Sequence, residues 1–584
     1  MTMSYDCLQD ALLPLRESSK SAIAGAICES FGEVKDYLHL DRDVETELEE
    51  IIKSVADSEK GALVLVCGNV GDGKSHLISK VLQKHPDFRN LYRVYDDATE
   101  SSSPTSTNID ELNKVLNPFA DTNLSICSEK AILAINLGTL NNFLVADVDN
   151  RFVQLRKFVH NKQILEIGQL EDNTYDAESC FQFVNLCDHN LFYLTSDGPV
   201  SPIIESALEK VVSLTAYDNP FCNAYNECCS HCLAMCPIKL NYQLLQNPEI
   251  RKKVSELLIE CIVKHHQIIS IRALYNFIFD LIVPLELEGL SPDKIIHWGE
   301  QSSIDRILDN LFPNYLFEHP ELSKVFKHLH YLDPALRRSS YLDDQIVSLI
   351  TREEPSELLV ELKIPSALSD LLVKHAPASE RLSHDTIVKT YVRLMFLTTT
   401  NSEETRFGDI YYAEFMKLIH GWHIGDRRQL KKIYNLVRRA TMTWSGVAPD
   451  DELLLEIGNQ QLKYRLSGKV LIKPCPLPPQ NDNCEPIRKF SCILPLKFEI
   501  GGEKSELLLN VNYRLYEVAR KVDAGYRAGL ADRNNFISFT VFVEDVMEAG
   551  ELSSKLRITE SSTGRHFVLE KDDFGDFTFR GAQQ

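Results

Sequence analysis

Gly68-Asn69-Val70-Gly71-Asp72-Gly73-Lys74-Ser75 satisfies the spacing G-x-x-x-x-G-K-[ST] in full, and His76 follows it. Glycines at these positions let the backbone wind until successive N–H groups converge on phosphate oxygens. Lys74 would bring a mobile ammonium to the outer phosphates, and the Ser75 hydroxyl is placed for Mg2+. A helix starting here directs the positive end of its dipole at the same anion. The bland alternative is a chance match in a long chain. Against it, the apolar run Ala62-Leu63-Val64-Leu65-Val66-Cys67 precedes the motif, and Leu77, Ile78, Val81 and Leu82 follow at helical spacing. The pattern predicts binding of ATP with Mg2+ at residues 68–76.

Turnover is a separate question, because it needs a carboxylate at a neighbouring strand end to hold the metal. The strand expected over 131–135 ends in Asn136, which carries no charge. The strand over 91–95 runs into Asp96 and Asp97, with Glu100 beyond, and Asp188 follows the strand over 183–187. Each of these acids could equally be a strand-end cap or part of a solvated turn. Ser270 is placed to cap a helix carrying Arg272. In ATPases of the AAA+ type a lid-helix arginine reaches back to the phosphates, and Arg272 resembles it; a surface ion pair is the competing role.

A second constellation is sulfur-based. Cys222, Cys228, Cys229, Cys232 and Cys236 crowd into one short stretch with His231, while the other cysteines are scattered. Thiolates at such spacings can close a tetrahedron around Zn2+, with Cys222, Cys228 or Cys229, Cys232 and Cys236 as the preferred set. The C-x2-C-x3-C-P tail keeps an iron–sulfur cluster open as the alternative. Buried, unliganded thiols are the plain alternative. A third feature is cationic: Arg427, Arg428, Lys431, Lys432, Arg438 and Arg439 share one face of an expected helix whose other side is Leu430, Ile433, Tyr434 and Val437. That face could meet phosphate backbone or an acidic partner, or be a solvated face neutralised by nearby acids. Trp422 and Trp444 beside it read as core.

These features need a scaffold. Residues 1–60 read as helical. Strands alternating with helices over 61–285 predict a parallel sheet covered on both faces, with the Cys-rich insert at about 217–242. Helical periodicity dominates 286–473, a Pro-rich linker covers 474–489, and 490–584 reads as a small α+β domain. The fold class expected is an α/β P-loop NTPase core, AAA+-like, with a metal-binding insert, a large helical region and a C-terminal α+β domain. The 584 residues carry a formal net charge of −22, which argues against a free-standing nucleic-acid binder held by bulk charge. No apolar run is long enough for a membrane span, and no secretion signal is evident. With 15 cysteines and no disulfide-scaffold composition, a reducing cytoplasm is expected. No nuclease constellation stands out.

Taken together, the motifs resemble the DptF (DndF) family, a component of the bacterial DNA phosphorothioation-dependent restriction system. The resemblance is carried by the 68–75 loop, DDATES at 96–101, AILAINLGTLNNFL at 131–144, the cysteines of 219–241 with Cys236-Pro237-Ile238, and 270–277. It covers about the first 280 residues. It implies a cytoplasmic bacterial protein that works with two partner proteins against DNA lacking sulfur-modified linkages, as an ATP-dependent motor or switch. DNA contact would then come through the complex. A nucleotide-gated signalling or scaffold ATPase of AAA+ or STAND type, without DNA contact, is the alternative.

Overall fold

The computed structural model describes residues 7–16, 34, 36–95, 108–165, 174–214, 219–228, 236–351, 356–375, 381–399, 409–449, 451–455, 463–477, 485–501, 505–551, 555–572, 574 and 576–583; of Asp188 only the backbone is included. Two compact units divide the chain. The first comprises Met1–Tyr193, Pro199–Gly408 and Arg488–Phe490. The second comprises Leu194–Gly198, Asp409–Ile487 and Ser491–Gln584.

The first unit is built on four parallel strands: β1 (Ala62–Cys67), β2 (Tyr92–Tyr95), β3 (Lys130–Ile135) and β4 (Phe181–Asn185), in the order β2-β3-β1-β4. Every residue of β1 is buried, as a strand covered on both faces requires. Alternation along β1 and β3 then sorts their side chains onto two cores. Val64, Val66, Ile132 and Ala134 pack against α2 (Asp43–Asp57) and α3 (Lys74–Lys84). Leu63, Leu65, Cys67, Leu133 and Ile135 pack against α4 (Asn108–Val115), α5 (Leu137–Ala146) and α6 (Val153–Asn161). Lys130 is buried and donates from Nζ to Ala56 O (2.8 Å) and Ser58 O (2.6 Å), placing its charge at the C-terminal end of α2.

Around this sheet the unit is helical. The elements used below are α1 (Leu8–Leu12), α7 (Pro220–Glu227), α8 (Pro237–Leu245), α9 (Ile271–Ile282) and α10 (Arg381–Thr398). Among the described residues the second unit holds α11 (Ile410–His423), α12 (Arg427–Trp444) and, in two sheets, eight antiparallel strands. These are β5 (Leu453–Leu455), β6 (Tyr464–Gly468), β7 (Ile472–Pro474), β8 (Leu494–Ile500), β9 (Ser505–Val511), β10 (Lys555–Glu560), β11 (His566–Lys571) and β12 (Phe577–Gln583), in sheets ordered β9-β8-β7 and β12-β11-β10-β6-β5. Along β8 every second residue is buried, and Gly501 opens the turn into β9 with φ +69°.

The region read as helical over 286–473 differs in two respects. It is shared between the two units, and its last part contains β5, β6 and β7. These strands are three to five residues long, too short for helical and strand periodicity to be told apart. Among the described residues no helix is long and apolar enough to cross a membrane.

The second unit carries a pH-sensitive core contact. His423 is fully buried, its Nε2–H donates to Ser491 O (3.2 Å), and burial pushes its pKa down to about 4. The unfolded chain therefore binds a proton near pH 6.5 that the folded chain refuses. The resulting stability is full above about 6.5 and is lost as pH falls toward about 4, by up to about 3 kcal/mol. Urea titrations from pH 7 to 4 should show this loss in the wild type and a shallower one in His423→Gln, which keeps a donor without titrating.

Candidate functional site

Residues 68–75 join β1 to α3 at the carboxyl end of the parallel sheet. The chain leaves β1 toward β2 on one side of the sheet, whereas it leaves β3 toward β4 on the other. Helices α3 and α5 accordingly lie on opposite faces, which puts the topological switch point at the ends of β1 and β3. Open α/β sheets bind ligands at such switch points.

Two glycines shape the loop. Gly71 and Gly73 have φ of +87° and +83°, in the left-handed region that side chains disfavour. A Cβ on Gly71 would also lie 2.8 Å from Ser270 Oγ and 3.4 Å from Arg272 Cβ, so the N-terminal turn of α9 sits directly against the loop. Arg272 N–H faces Gly71 O at 3.4 Å, while Ser270 Oγ caps α9 by accepting from Ala273 N–H (3.2 Å). The Arg272 side chain is exposed on that turn. Val70 is exposed at the tip of the loop.

The charges are ordered around this bend. Asp72 is buried, and its Oδ2 accepts from Asn69 N–H (2.6 Å), tying the loop into a turn. Burial raises its pKa, opposed by the Asn69 bond and by the Lys74 and Arg42 charges. Lys74 Nζ lies over the loop and donates to Gly68 O (3.1 Å) and Asn69 O (2.7 Å). Arg42 donates to Asp72 O (3.0 Å) from beneath; burial lowers its pKa, but a guanidinium starting near 12.5 remains cationic. Asn69 Nδ2 is 3.2 Å from Cys187 Sγ, linking the loop to the end of β4. Ser75 is exposed at the start of α3. The arrangement brings an ammonium and a helix N-terminus to one end of the loop, where both would favour an anion.

His76 belongs to a cluster that the motif alone does not announce. His39 Nδ1 is 3.0 Å from His76 Nε2, and His39 Nε2 is 2.9 Å from Glu45 Oε2. Burial, then the His39 charge, lowers the His76 pKa. Burial works to raise Glu45, but the bonds from Lys84 and His39 together hold it below the usual carboxylate range. His39, Asp41 and Glu45 hold donor atoms within 4.8 Å of one another, the one such group among the described residues. Lys84 Nζ already sits 2.6 Å from Glu45 and would oppose a cation there.

Of the acids considered for metal binding, Asp96, Asp97 and Glu100 lie outside the described residues, as does the Asp188 carboxylate. Asn136 does have a structural role. Its Oδ1 accepts from Thr139 N–H (2.7 Å) and caps α5 directly after β3. Asn136→Ala should destabilise the protein by about 1 kcal/mol. Asn136→Asp, which keeps the acceptor, should not, and urea unfolding of the two variants checks this.

Among the cysteines, Cys229 and Cys232 lie outside the described residues, together with His231. Cys222, Cys228 and Cys236 are buried, but they do not share one environment. Cys222 Sγ is 3.9 Å from Leu214 O and 3.4 Å from Asn226 Nδ2. Cys228 and Cys236 instead face Cys7, a residue outside the sequence cluster. The Cys7 thiol is close enough to Cys228 to hydrogen-bond it, and that contact, with burial, holds it well above the usual thiol range.

All six cations of α12 are exposed, and Ile433, Tyr434 and Val437 are buried, as the amphipathic spacing requires. Arg438 pairs with Asp451 (3.1 Å), and Arg439 makes a two-pronged contact with Asp523 (2.6 and 2.9 Å). Arg427, Arg428, Lys431 and Lys432 make no ion pair with a described residue. Trp422 and Trp444 are core residues. Comparison of the chain with protein-family models, with curated proteins and with solved structures finds no match in any of the three.

Proposed function

We propose that this chain is the ATP-binding P-loop subunit of a bacterial restriction complex that attacks DNA lacking phosphorothioate modification. It acts with two partner proteins, as a nucleotide switch or motor with an AAA+-like core. The observation that carries nucleotide binding is the 68–75 loop: two left-handed glycines between a fully buried strand and a helix N-terminus, with Lys74 over the loop carbonyls. The restriction role rests on the sequence resemblance.

Within this reading Lys74 and the loop N–H groups hold the phosphates, Ser75 serves Mg2+, and Arg272 reaches the outer phosphate from the first turn of α9. Asn136 is committed to its helix. The strand β2, after which Asp96 and Asp97 come in sequence, is separated from β1 by β3. A metal-holding acid directly beside the loop is therefore not supplied by β3. This favours tight binding with slow turnover by the chain alone, and turnover completed by partners.

The pairing of Arg438 and Arg439 with acids favours a second reading, a nucleotide-gated scaffold ATPase with no DNA contact. ATPase assays of the purified chain, alone and with its co-encoded neighbours, with and without unmodified DNA, separate the two. DNA stimulation in the presence of partners supports the restriction subunit. ATP turnover indifferent to DNA in every combination overturns it and leaves the scaffold.

A further inference from the structure

We propose that Cys7, Cys228 and Cys236 are three ligands of one structural zinc ion, which ties the N-terminal helix α1 to the α7–α8 pair. The proposal does not rest on the nucleotide reading. Cys7 precedes α1, Cys228 follows α7 and Cys236 precedes α8. Each thiol therefore sits at a helix end. All three are buried, at 3%, 6% and 8% exposure.

The three also share one neighbourhood. The Cys7 and Cys228 thiols are within hydrogen-bonding reach, and Cys236 is near enough to act electrostatically on both. Helix α1 packs against α7 and α8, burying Leu8, Ala11 and Leu12. Cys222, the cysteine that sequence spacing favours, is engaged instead with Leu214 and Asn226.

Zinc fits the donor set. Thiolates at about 2.3 Å from Zn2+ stand about 3.8 Å apart in a tetrahedron. The three sulfurs do not all fall within 4.8 Å of one another, so binding would draw them together by side-chain rotation. Each ligating thiol loses its proton to solvent, and no electron is transferred. Cys236 is the N-cap of the nine-residue helix α8, whose positive N-terminal end stabilises a thiolate.

The ion would also brace the nucleotide-facing helix. From α8, Asn241 Nδ2 approaches Ile282 O at the end of α9 (3.3 Å). From the α1 side, Arg16 pairs with Asp280 of α9 (2.7 Å). The thiol cluster thus holds both elements that support α9 from behind, while the N-terminal turn of α9 touches the 68–75 loop.

The test is metal content of the full-length chain purified without added metal. About one zinc per chain is expected for the wild type and for Cys222→Ser, with a loss of most of it in Cys7→Ser and Cys236→Ser. Zinc retained in full by Cys7→Ser overturns the proposal, as does stoichiometric iron, or neither metal, in the wild type. Should Cys7→Ser fail to fold, alkylation of the wild type with and without a chelator decides the matter. Cys7, Cys228 and Cys236 should become reactive together when zinc is removed, and the mapped peptides should identify the fourth donor. A Cys7 reactivity indifferent to the chelator counts against the site.

Discussion

Lys74→Ala should lower ATP affinity about 10- to 100-fold while leaving the unfolding transition of the protein where it was. The first half follows from removing a charge-assisted bond worth about 1.5–3 kcal/mol, at about 1.4 kcal/mol per tenfold in affinity. The second half follows from the structure: among the described residues Lys74 Nζ hydrogen-bonds the loop carbonyls Gly68 O and Asn69 O, and buried Asp72, on which its charge also acts, keeps the Asn69 N–H bond and the Arg42 charge without it. Isothermal titration with ATP and a urea melt make the comparison. Under the proposed role, restriction of unmodified DNA in cells should be lost with this variant. Unchanged affinity would remove the phosphate role of the loop. Unchanged restriction with lost affinity would separate nucleotide binding from the biological role.

The largest effect on stability is expected at Arg393 in α10. This side chain is almost fully buried and forks onto Asp333, with Nε to Oδ1 at 3.1 Å and Nη2 to Oδ2 at 2.6 Å. Its Nη1 donates to Asn314 Oδ1 (2.8 Å) and lies 2.8 Å from Glu318. Burial acts to lower the Arg393 pKa, but Asp333 and Glu318 outweigh it and raise it. Arg393→Ala would strand Asp333, itself buried at 3% exposure, and should cost about 3–5 kcal/mol. Arg393→Lys restores the charge but not the fork, and should recover only part of the loss. Arg393→Met combined with Asp333→Asn removes both charges while keeping the acceptor that Asp333 offers to Ala335 N–H, and should be milder than Arg393→Ala. Urea unfolding of the three variants provides the ranking. A double variant worse than Arg393→Ala would mean that the pair contributes more than the avoidance of a stranded charge.

These two sites differ in how visible they are before folding. Lys74 stands out because its motif is contiguous: the glycines, the lysine and the flanking strand and helix are all set within neighbouring residues, where local backbone sterics operate. The β8–β9 hairpin is visible for the same reason, since apolar alternation and a glycine turn are local signals. Arg393 gives no such signal. It lies in a helix whose apolar face could as well place it at the surface, and its carboxylate partners come from distant segments.

Asn136 shows a different limit. Its position after β3 invited comparison with a metal-binding acid, yet Asn before an apolar helix is equally an N-cap signal, and the Thr139 contact follows that rule. The strands β5 and β6 were hidden inside a stretch of helical periodicity because runs of three to five residues carry too little pattern. Arg42 and His39, which brace and flank the loop, are unremarkable in sequence because their importance lies in partners at Asp72 and His76.

By itself the sequence determined the glycine-rich 68–75 loop, its flanking β1 and α3, the amphipathic basic helix α12 and the presence of a thiol-rich segment. All are written in residues close enough for backbone geometry and periodicity to act on directly. The tertiary structure alone decided which elements meet: α9 against Gly71, Arg42 beneath Asp72, and Cys7 rather than Cys222 beside Cys228. Those contacts depend on how buried faces pack against one another, and residue spacing along the chain does not encode it.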